Sequence, residues 1–159
     1  MKYPAASTAN NFFDDFEVGM LIRHARGKTI TNLENVLFTN LTMNTSEGHF
    51  NEDKLSTSSF GRVVSYGGVN FSMVLGLASQ DCCEQALEEL GLDNIKLTTF
   101  VGHGDTLYAY SEVLAVEGAD REDAGIVTFR HYGVNQRREL VAQVDRRVML
   151  KRRITSAAE

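Results

Sequence analysis

The segment from Met43 to Asn51, Met-Asn-Thr-Ser-Glu-Gly-His-Phe-Asn, is dense in hydrogen-bonding side chains and poor in apolar ones. Such groups are costly to bury without a purpose, and loops carried on rigid elements are where binding and catalytic groups sit. His49 is the natural proton carrier, because an unperturbed imidazole titrates near neutrality. Asn44, upstream of it, orients water by donating and accepting hydrogen bonds but takes no proton at pH 7. Glu47 adds a carboxylate between the two. The set suits general acid–base chemistry on a water molecule. Plainer readings stand beside it: His49 as a loop histidine satisfying nearby backbone, Asn44 as a helix-end cap and Glu47 as an exposed carboxylate.

A second chemical feature is Gly67-Gly68, preceded by Tyr66. Paired glycines at a helix start leave the first amides open to an anion or a developing oxyanion. Equally, they mark a tight turn into a closely packed helix. Cys82 and Cys83 are adjacent, a poor geometry for a mutual bridge, and read as small buried apolar residues. His24, His103 and His131 are scattered without metal-ligand spacing, so no metal is expected. A nucleophile elbow, a Walker loop and a dinucleotide fingerprint are all absent from the sequence. Tyr108, Tyr110 and Tyr132 are expected to pack across strands rather than stack on bases.

Several elements must position these groups. Phe71, Leu75, Ala78, Cys82, Ala86 and Leu90 recur at helical steps. The spacing predicts a helix from Gly67 to Leu90, roughly 24 residues and about 36 Å long, stopped at Gly91. Its first half is apolar on nearly every side and should be surrounded, whereas Glu84, Gln85, Glu88 and Glu89 give the second half a wet face. Period-two alternation then predicts antiparallel strands over 94–101, 106–117, 126–134 and 140–150. Upstream, 20–29 reads as a strand. Thr31 or Asn32 caps a short helix that runs to about Thr42 and buries Leu33, Val36, Leu37, Phe38 and Leu41. Phe12, Phe13, Phe16 and Val18 form a greasy lid. The expected architecture is α+β, a bent antiparallel sheet wrapped around one long helix.

The 159 residues suit a single domain over 20–153, with an arm over 1–19 and a tail over 154–159. An apolar content of 43%, one proline, no bilayer-length apolar run and no basic-then-greasy start lead to a cytoplasmic expectation without membrane contact. The net charge of −5 argues against nucleic acid as a partner. Residues 130–153 nevertheless hold eight basic residues against Glu139 and Asp145, a local balance of +6 that leaves −11 elsewhere. Such a patch either holds phosphates or is a solvated strand face.

Four pieces, Phe16-Glu17-Val18-Gly19, the loop from Asn44 to Asn51, Gly61-Arg62 through Tyr66-Gly67, and Gly104-Asp105-Thr106-Leu107, resemble the MaoC-like dehydratases in order and spacing. These are the (R)-specific enoyl-CoA hydratases of the hot-dog fold, and the likeness spans Phe12 to Arg152. The resemblance implies a hydro-lyase that reversibly hydrates a 2-enoyl-CoA to a 3-hydroxyacyl-CoA. It implies no metal or redox cofactor, coenzyme A being part of the substrate. His49 matches the family histidine; Asn44 stands where the family has Asp, and Glu47 takes a Pro position. Either His49 works with Asn44 as orienter, or Glu47 is the second acid–base group, or the chemistry is altered. Gly67 matches the glycine whose amide meets the thioester oxygen, and Tyr66 replaces a frequent His.

By the same resemblance, the coenzyme A phosphates lie near Arg146, Arg147 and Lys151. The departures at Asn44 and Glu47 resemble the mesaconyl-CoA branch, which handles branched or dicarboxylic acyl groups, and Arg62 would then pair with the distal carboxylate. A homodimer or higher oligomer is expected, with sites at the interface. Two rivals share the fold: an acyl-CoA thioesterase, with Asp81 and Glu84 as its only helix carboxylates, and a non-catalytic acyl-CoA-binding subunit.

Overall fold

A computed structural model describes residues 11–153. Most of the expected arm, 1–10, and the tail, 154–159, lie outside the described residues. Five strands, β1 (Leu21–Thr29), β2 (Ala86–Leu97), β3 (Thr106–Gly118), β4 (Ala124–Asn135) and β5 (Leu140–Lys151), form one antiparallel sheet in the order β1-β3-β4-β5-β2. The helices are α1 (Asn32–Leu41), α2 (Glu52–Ser56) and α3 (Gly67–Cys82). Helix α3 crosses one face of the sheet, packing on β1, β3, β4 and β5. This is the hot-dog arrangement.

Strict alternation along β3 buries Leu107, Ala109, Ser111 and Val113 toward α3 and leaves Tyr108, Tyr110 and Glu112 half-buried on the other face. Gly133 on β4 lets the helix come close, because a Cβ there would collide with Val74 of α3. Phe13 and Phe16 close one end of the core, with Phe16 edge-on to Phe129 at 4.9 Å between ring centroids. Val18 stays exposed.

The central helix is shorter than its periodicity predicts, 16 residues rather than the full run to Leu90. The chain turns at Cys83, and Ala86–Leu97 becomes the edge strand paired with β5, with Ala86 opposite Leu150 and Glu89 opposite Val148. Ala-Leu-Glu-Glu-Leu is a good helix sequence, but the open edge of β5 offers ladder bonds, and Arg146 anchors Glu89 at 2.6 Å. The mismatch survives as register shifts along β2. Gly91 lies within the strand, and the strand expected over 94–101 begins earlier and ends at Leu97. Nor is α3 surrounded: Val69, Asn70, Val74, Ala78, Asp81 and Cys82 are buried, while Phe71, Met73, Leu75 and Leu77 are only half-buried.

Helix α1 starts where predicted, but its apolar face looks outward. Leu33 is 73% and Leu41 71% exposed, Val36 and Leu37 are also exposed, and Asn35 and Thr39 are the buried residues. The buried face of α1 meets α3 and the turn around His49, where Asn35 finds polar partners in His49 and Tyr66 rather than an apolar groove.

A chain of polar side chains runs through the core between two apolar clusters. His24 Nδ1 lies 2.6 Å from Asp81, His24 Nε2 lies 2.7 Å from Ser111 Oγ, and that hydroxyl lies 2.6 Å from His131 Nδ1. Burial pushes the pKa of His131 down to about 3, with Arg146 and His24 adding to the effect.

Candidate active site

Helix α1 ends at Leu41, and Met43 adopts φ 54. The Asn44 amide then donates to the Thr39 carbonyl at 2.8 Å, and Asn44 Oδ1 accepts from the Ser46 amide at 3.0 Å. This side-chain turn launches the single 3-10 turn Glu47–His49. The His49 ring places Nδ1 2.9 Å from the Val64 carbonyl oxygen. A carbonyl only accepts, so Nδ1 carries the proton and Nε2 is the basic nitrogen of the neutral ring. The Val64 amide donates back to the Gly48 carbonyl at 3.1 Å, tying the loop to the strand-like segment before α3.

That segment delivers Tyr66, whose ring packs against His49 with centroids 5.4 Å apart. Gly67 follows as the first residue of α3. The amides of Val69 and Asn70 bond the Tyr66 carbonyl at 2.9 and 3.3 Å. Those of Gly67 and Gly68 have no acceptor among the described residues, and they sit at the positive end of the helix dipole. A Cβ on Gly68 would approach the Tyr66 ring to 2.6 Å, and one on Gly67 would meet the tip of the exposed Leu97 side chain, which would have to swing away. His49, Tyr66, Gly67 and Gly68 are thus brought together, with Asn44 at the base of the same loop.

Asn35, Ser65 and Asn70, which carry no motif in the sequence, complete the setting together with His103, which the sequence places only as a scattered histidine. Asn35 donates from Nδ2 to the His49 carbonyl at 2.5 Å and accepts at Oδ1 from the Tyr66 amide at 2.8 Å. Its Nδ2 also lies 3.4 Å from His103 Nε2. Ser65 donates to Asn70 Oδ1 at 3.0 Å inside the first turn of α3. The available signal was the pair Asn35 and Thr39, polar residues one helical turn apart on one face of α1.

Glu47 points elsewhere. It pairs with Lys54 and accepts from Asn51 Nδ2 at 3.2 Å on the surface, and the Lys54 ammonium holds its carboxyl below the usual range. These contacts fasten the start of α2, which Asn51 caps through the Lys54 amide.

Arg62 donates to Asp105 at 2.9 Å with its side chain half exposed. Asp105 is buried and also accepts from the Gly102 amide and from Gln136 and Arg137. Burial alone would raise its pKa, but these donors hold it at about 2. Arg62 and His103 line a cleft of about 320 Å³ with Glu52, Ser56, Gly61 and Val63. A larger hollow of about 880 Å³ lies against the outer sheet face, lined by Tyr108, Tyr110, Tyr132, Arg23 and Arg138, and includes none of the residues gathered around His49.

The basic cluster is mostly spent on ion pairs. Arg130 pairs with Asp145, Arg137 with Glu139 and Asp105, Arg152 with Asp14 and Arg153 with Asp15. Successive strand residues face opposite ways, so Arg146 and Arg147 part. Arg146 reaches beneath the sheet to Glu89 and Ser79, Arg147 meets Glu117 at 3.3 Å on the other face, and Lys151 is exposed at the end of β5. Asp81 is buried at the far end of α3, about 21 Å along the helix from Gly67, bonded to His24; Glu84 lies past the helix and is exposed.

His24, Cys82 and His131 do converge, contrary to their sequence spacing, with ligand atoms within 4.8 Å of one another. Both nitrogens of His24 and Nδ1 of His131 are already engaged by Asp81 and Ser111. This arrangement reads as a hydrogen-bonded core layer, with His131 Nε2 as its one unpartnered atom among the described residues.

A family model described as mesaconyl-CoA hydratase matches residues 3–152. The chain is 31% identical over 157 residues to the mesaconyl-CoA hydratase of Haloarcula marismortui, an alignment covering 92% of this chain and 43% of that protein. It is 34% identical over 138 residues to the β-methylmalyl-CoA dehydratase of Chloroflexus aurantiacus, covering 86% of this chain and 39% of the other. Among solved structures, a protein described as a MaoC domain dehydratase from Chloroflexus aurantiacus J-10-fl superposes with a TM-score of 0.84 at 30% identity, covering 91% of this chain and 46% of that one. The chain therefore spans less than half the length of these relatives. No helix among the described residues is long and apolar enough to cross a membrane.

Proposed function

The chain belongs to the mesaconyl-CoA hydratase family, and on that premise we propose that it is a hydro-lyase adding water reversibly to a 2-enoyl-CoA with a branched or dicarboxylic acyl group. The observation that carries this reading is the His49 ring, held by Val64 with Nε2 basic, beside the residue that precedes the open amides of Gly67 and Gly68. Nε2 takes a proton from water as its oxygen bonds to the β-carbon. The alkene electron pair shifts toward the thioester, whose oxygen gains charge that the two amides stabilise. The protonated Nε2 then gives up that proton, which ends on the α-carbon, so the 3-hydroxyacyl-CoA forms and the neutral ring is restored. Asn44, whose Oδ1 is held by Ser46, offers Nδ2 to orient the water.

Arg62 in its cleft is the cation for a distal carboxylate, and the exposed Arg147 and Lys151 remain to meet coenzyme A phosphates. Coenzyme A enters as part of the substrate; adding water changes no oxidation state overall, so the reaction calls for no redox cofactor, and on this reading the Gly67 and Gly68 amides take the oxyanion role that a Lewis-acid metal fills elsewhere. The open side of α3 and the exposed Leu92, Ile95 and Leu97 on edge strand β2 favour a homodimer in which a second hot-dog domain covers them. A cytoplasmic setting, where thiols such as Cys82 and Cys83 stay reduced, fits this assignment. A thioesterase would need a carboxylate near the Gly67 amides or from a partner helix; Asp81 is buried against His24 at the far end of α3 and Glu84 lies past it, so the first route has no carboxylate among these two.

The test is to incubate the protein with mesaconyl-CoA and, separately, crotonyl-CoA while following enoyl-thioester absorbance and free thiol, with His49→Ala as control. Loss of absorbance without thiol, abolished in the variant, is the expected result. Thiol release would mean a thioesterase, and tight binding without turnover a non-catalytic subunit.

A further inference from the structure

Helix α1 buries the wrong residues for a helix that merely packs. It leaves Leu33 73% exposed while Asn35 is completely buried. Taking an amide out of water is unfavourable unless its hydrogen bonds are replaced, so the buried carboxamide marks a position where its bonds matter. Those bonds join the two halves of the site. Nδ2 donates to the main-chain carbonyl of His49 at 2.5 Å, and Oδ1 accepts from the main-chain amide of Tyr66 at 2.8 Å. The orientation of the carboxamide is unambiguous, since the Tyr66 N–H only donates and the His49 carbonyl only accepts.

We propose that Asn35 is the positioning residue of this active site, its carboxamide bridging His49 and Tyr66 so that Nε2 and the Gly67 and Gly68 amides are held at one working distance. The proposal rests on the reading of His49 as the base. Two further rungs hold the same segments, Val64 N–H to Gly48 and His49 Nδ1–H to Val64, but both lie on the His49 side of Tyr66. Asn35 alone among the described side chains bonds both to His49 and to the residue whose peptide leads into Gly67. It touches no reacting atom and acts through backbone, so isosteric replacements are informative. An Asp side chain of the same size, when ionised, accepts from Tyr66 but repels the His49 carbonyl; when neutral, its O–H restores the missing donor.

The experiment compares wild type, Asn35→Ala, Asn35→Asp and Thr39→Val on mesaconyl-CoA and crotonyl-CoA across pH, with urea unfolding of each and ¹H–¹⁵N NMR of the backbone amides, those of Gly67 and Gly68 being assigned in wild type. Thr39→Val alters the other buried polar residue of α1, whose hydroxyl bonds only within the helix, to the Val36 carbonyl. Expected are a kcat loss of about 10²-fold in Asn35→Ala with KM within about 3-fold, as misplacement of a reacting group by about an ångström produces. Thr39→Val keeps kcat. In Asn35→Asp the kcat relative to wild type falls as pH rises, and the Gly67 and Gly68 amide resonances move in Asn35→Ala but not in Thr39→Val. Near-wild-type kcat in both Asn35 variants, or a loss matched by Thr39→Val at equal destabilisation, overturns the proposal. Should wild type hydrate neither substrate, the functional reading fails, and the amide spectrum still decides: unmoved Gly67 and Gly68 resonances in Asn35→Ala overturn the clamp. If Asn35→Ala does not fold, the pH trend of Asn35→Asp carries the test, and a flat ratio overturns it.

Discussion

The Val64 carbonyl oxygen, 2.9 Å from His49 Nδ1, determines which nitrogen of that ring is basic. A histidine that only satisfied backbone would use its ring the same way. What distinguishes His49 is that its other nitrogen is left for chemistry on a half-buried ring tilted against Tyr66, the residue that precedes the open amides of α3.

Removing that nitrogen should therefore remove the reaction and spare the fold. His49→Ala is expected to lower kcat for enoyl-CoA hydration by about 10²–10⁴-fold, the usual contribution of a placed general base. Enoyl absorbance measures the loss, and an unchanged far-ultraviolet circular dichroism spectrum shows that the chain still folds.

Glu47 faces solvent with Lys54, so Glu47→Gln should leave kcat within about 2-fold, as surface changes away from a site do. Asn44→Ala should reduce kcat by about 10-fold, since it removes both the Ser46 turn and the candidate water-orienting amide. Steady-state kinetics of the two variants side by side separates a surface carboxylate from a loop residue.

Arg146 and Arg147 are neighbours in sequence with different fates. Arg146 fastens edge strand β2 through Glu89 and α3 through Ser79, and Arg146→Ala is expected to cost about 1–3 kcal/mol in urea unfolding. Arg147→Ala should change stability by less than about 0.5 kcal/mol. Its expected signature is a raised KM for the coenzyme A thioester.

Asp105 gives a pH test. Its folded pKa of about 2 lies below that of an unfolded Asp, so the unfolded chain binds the proton first as pH falls. The stabilisation is fully present above about pH 4 and disappears as pH drops toward about 2, and linkage puts its size near 2 kcal/mol. Asp105→Asn should be less stable than wild type by about that amount at neutral pH, and the gap should close across the same window in urea melts.

Much of the fold was legible because its signals are local. Period-two alternation marked β3, β4 and β5 nearly to their ends, and Thr31 announced the start of α1, where Glu34 accepts from the Thr31 amide at 3.0 Å. Two readings failed for one reason. The run from Ala86 to Leu90 has helical spacing and became strand β2, and the apolar face of α1 turned outward, because the partners that decided both, β5 and the loops around His49, are remote in sequence.

The linear chain already carries the residue types and the family pattern: a histidine loop, a glycine pair at the start of a helix, and strands to wrap it. Local spacing and backbone preference are sufficient for that. Only the tertiary structure decided which polar groups serve the site. Glu47 was drawn to Lys54, Arg146 to Glu89 and the three dispersed residues His24, Ser111 and His131 into one core chain, while Asn35 was drawn in to bridge His49 and Tyr66. A hydrogen bond depends on distance and direction in space, and spacing along a chain specifies neither once the chain has folded back on itself.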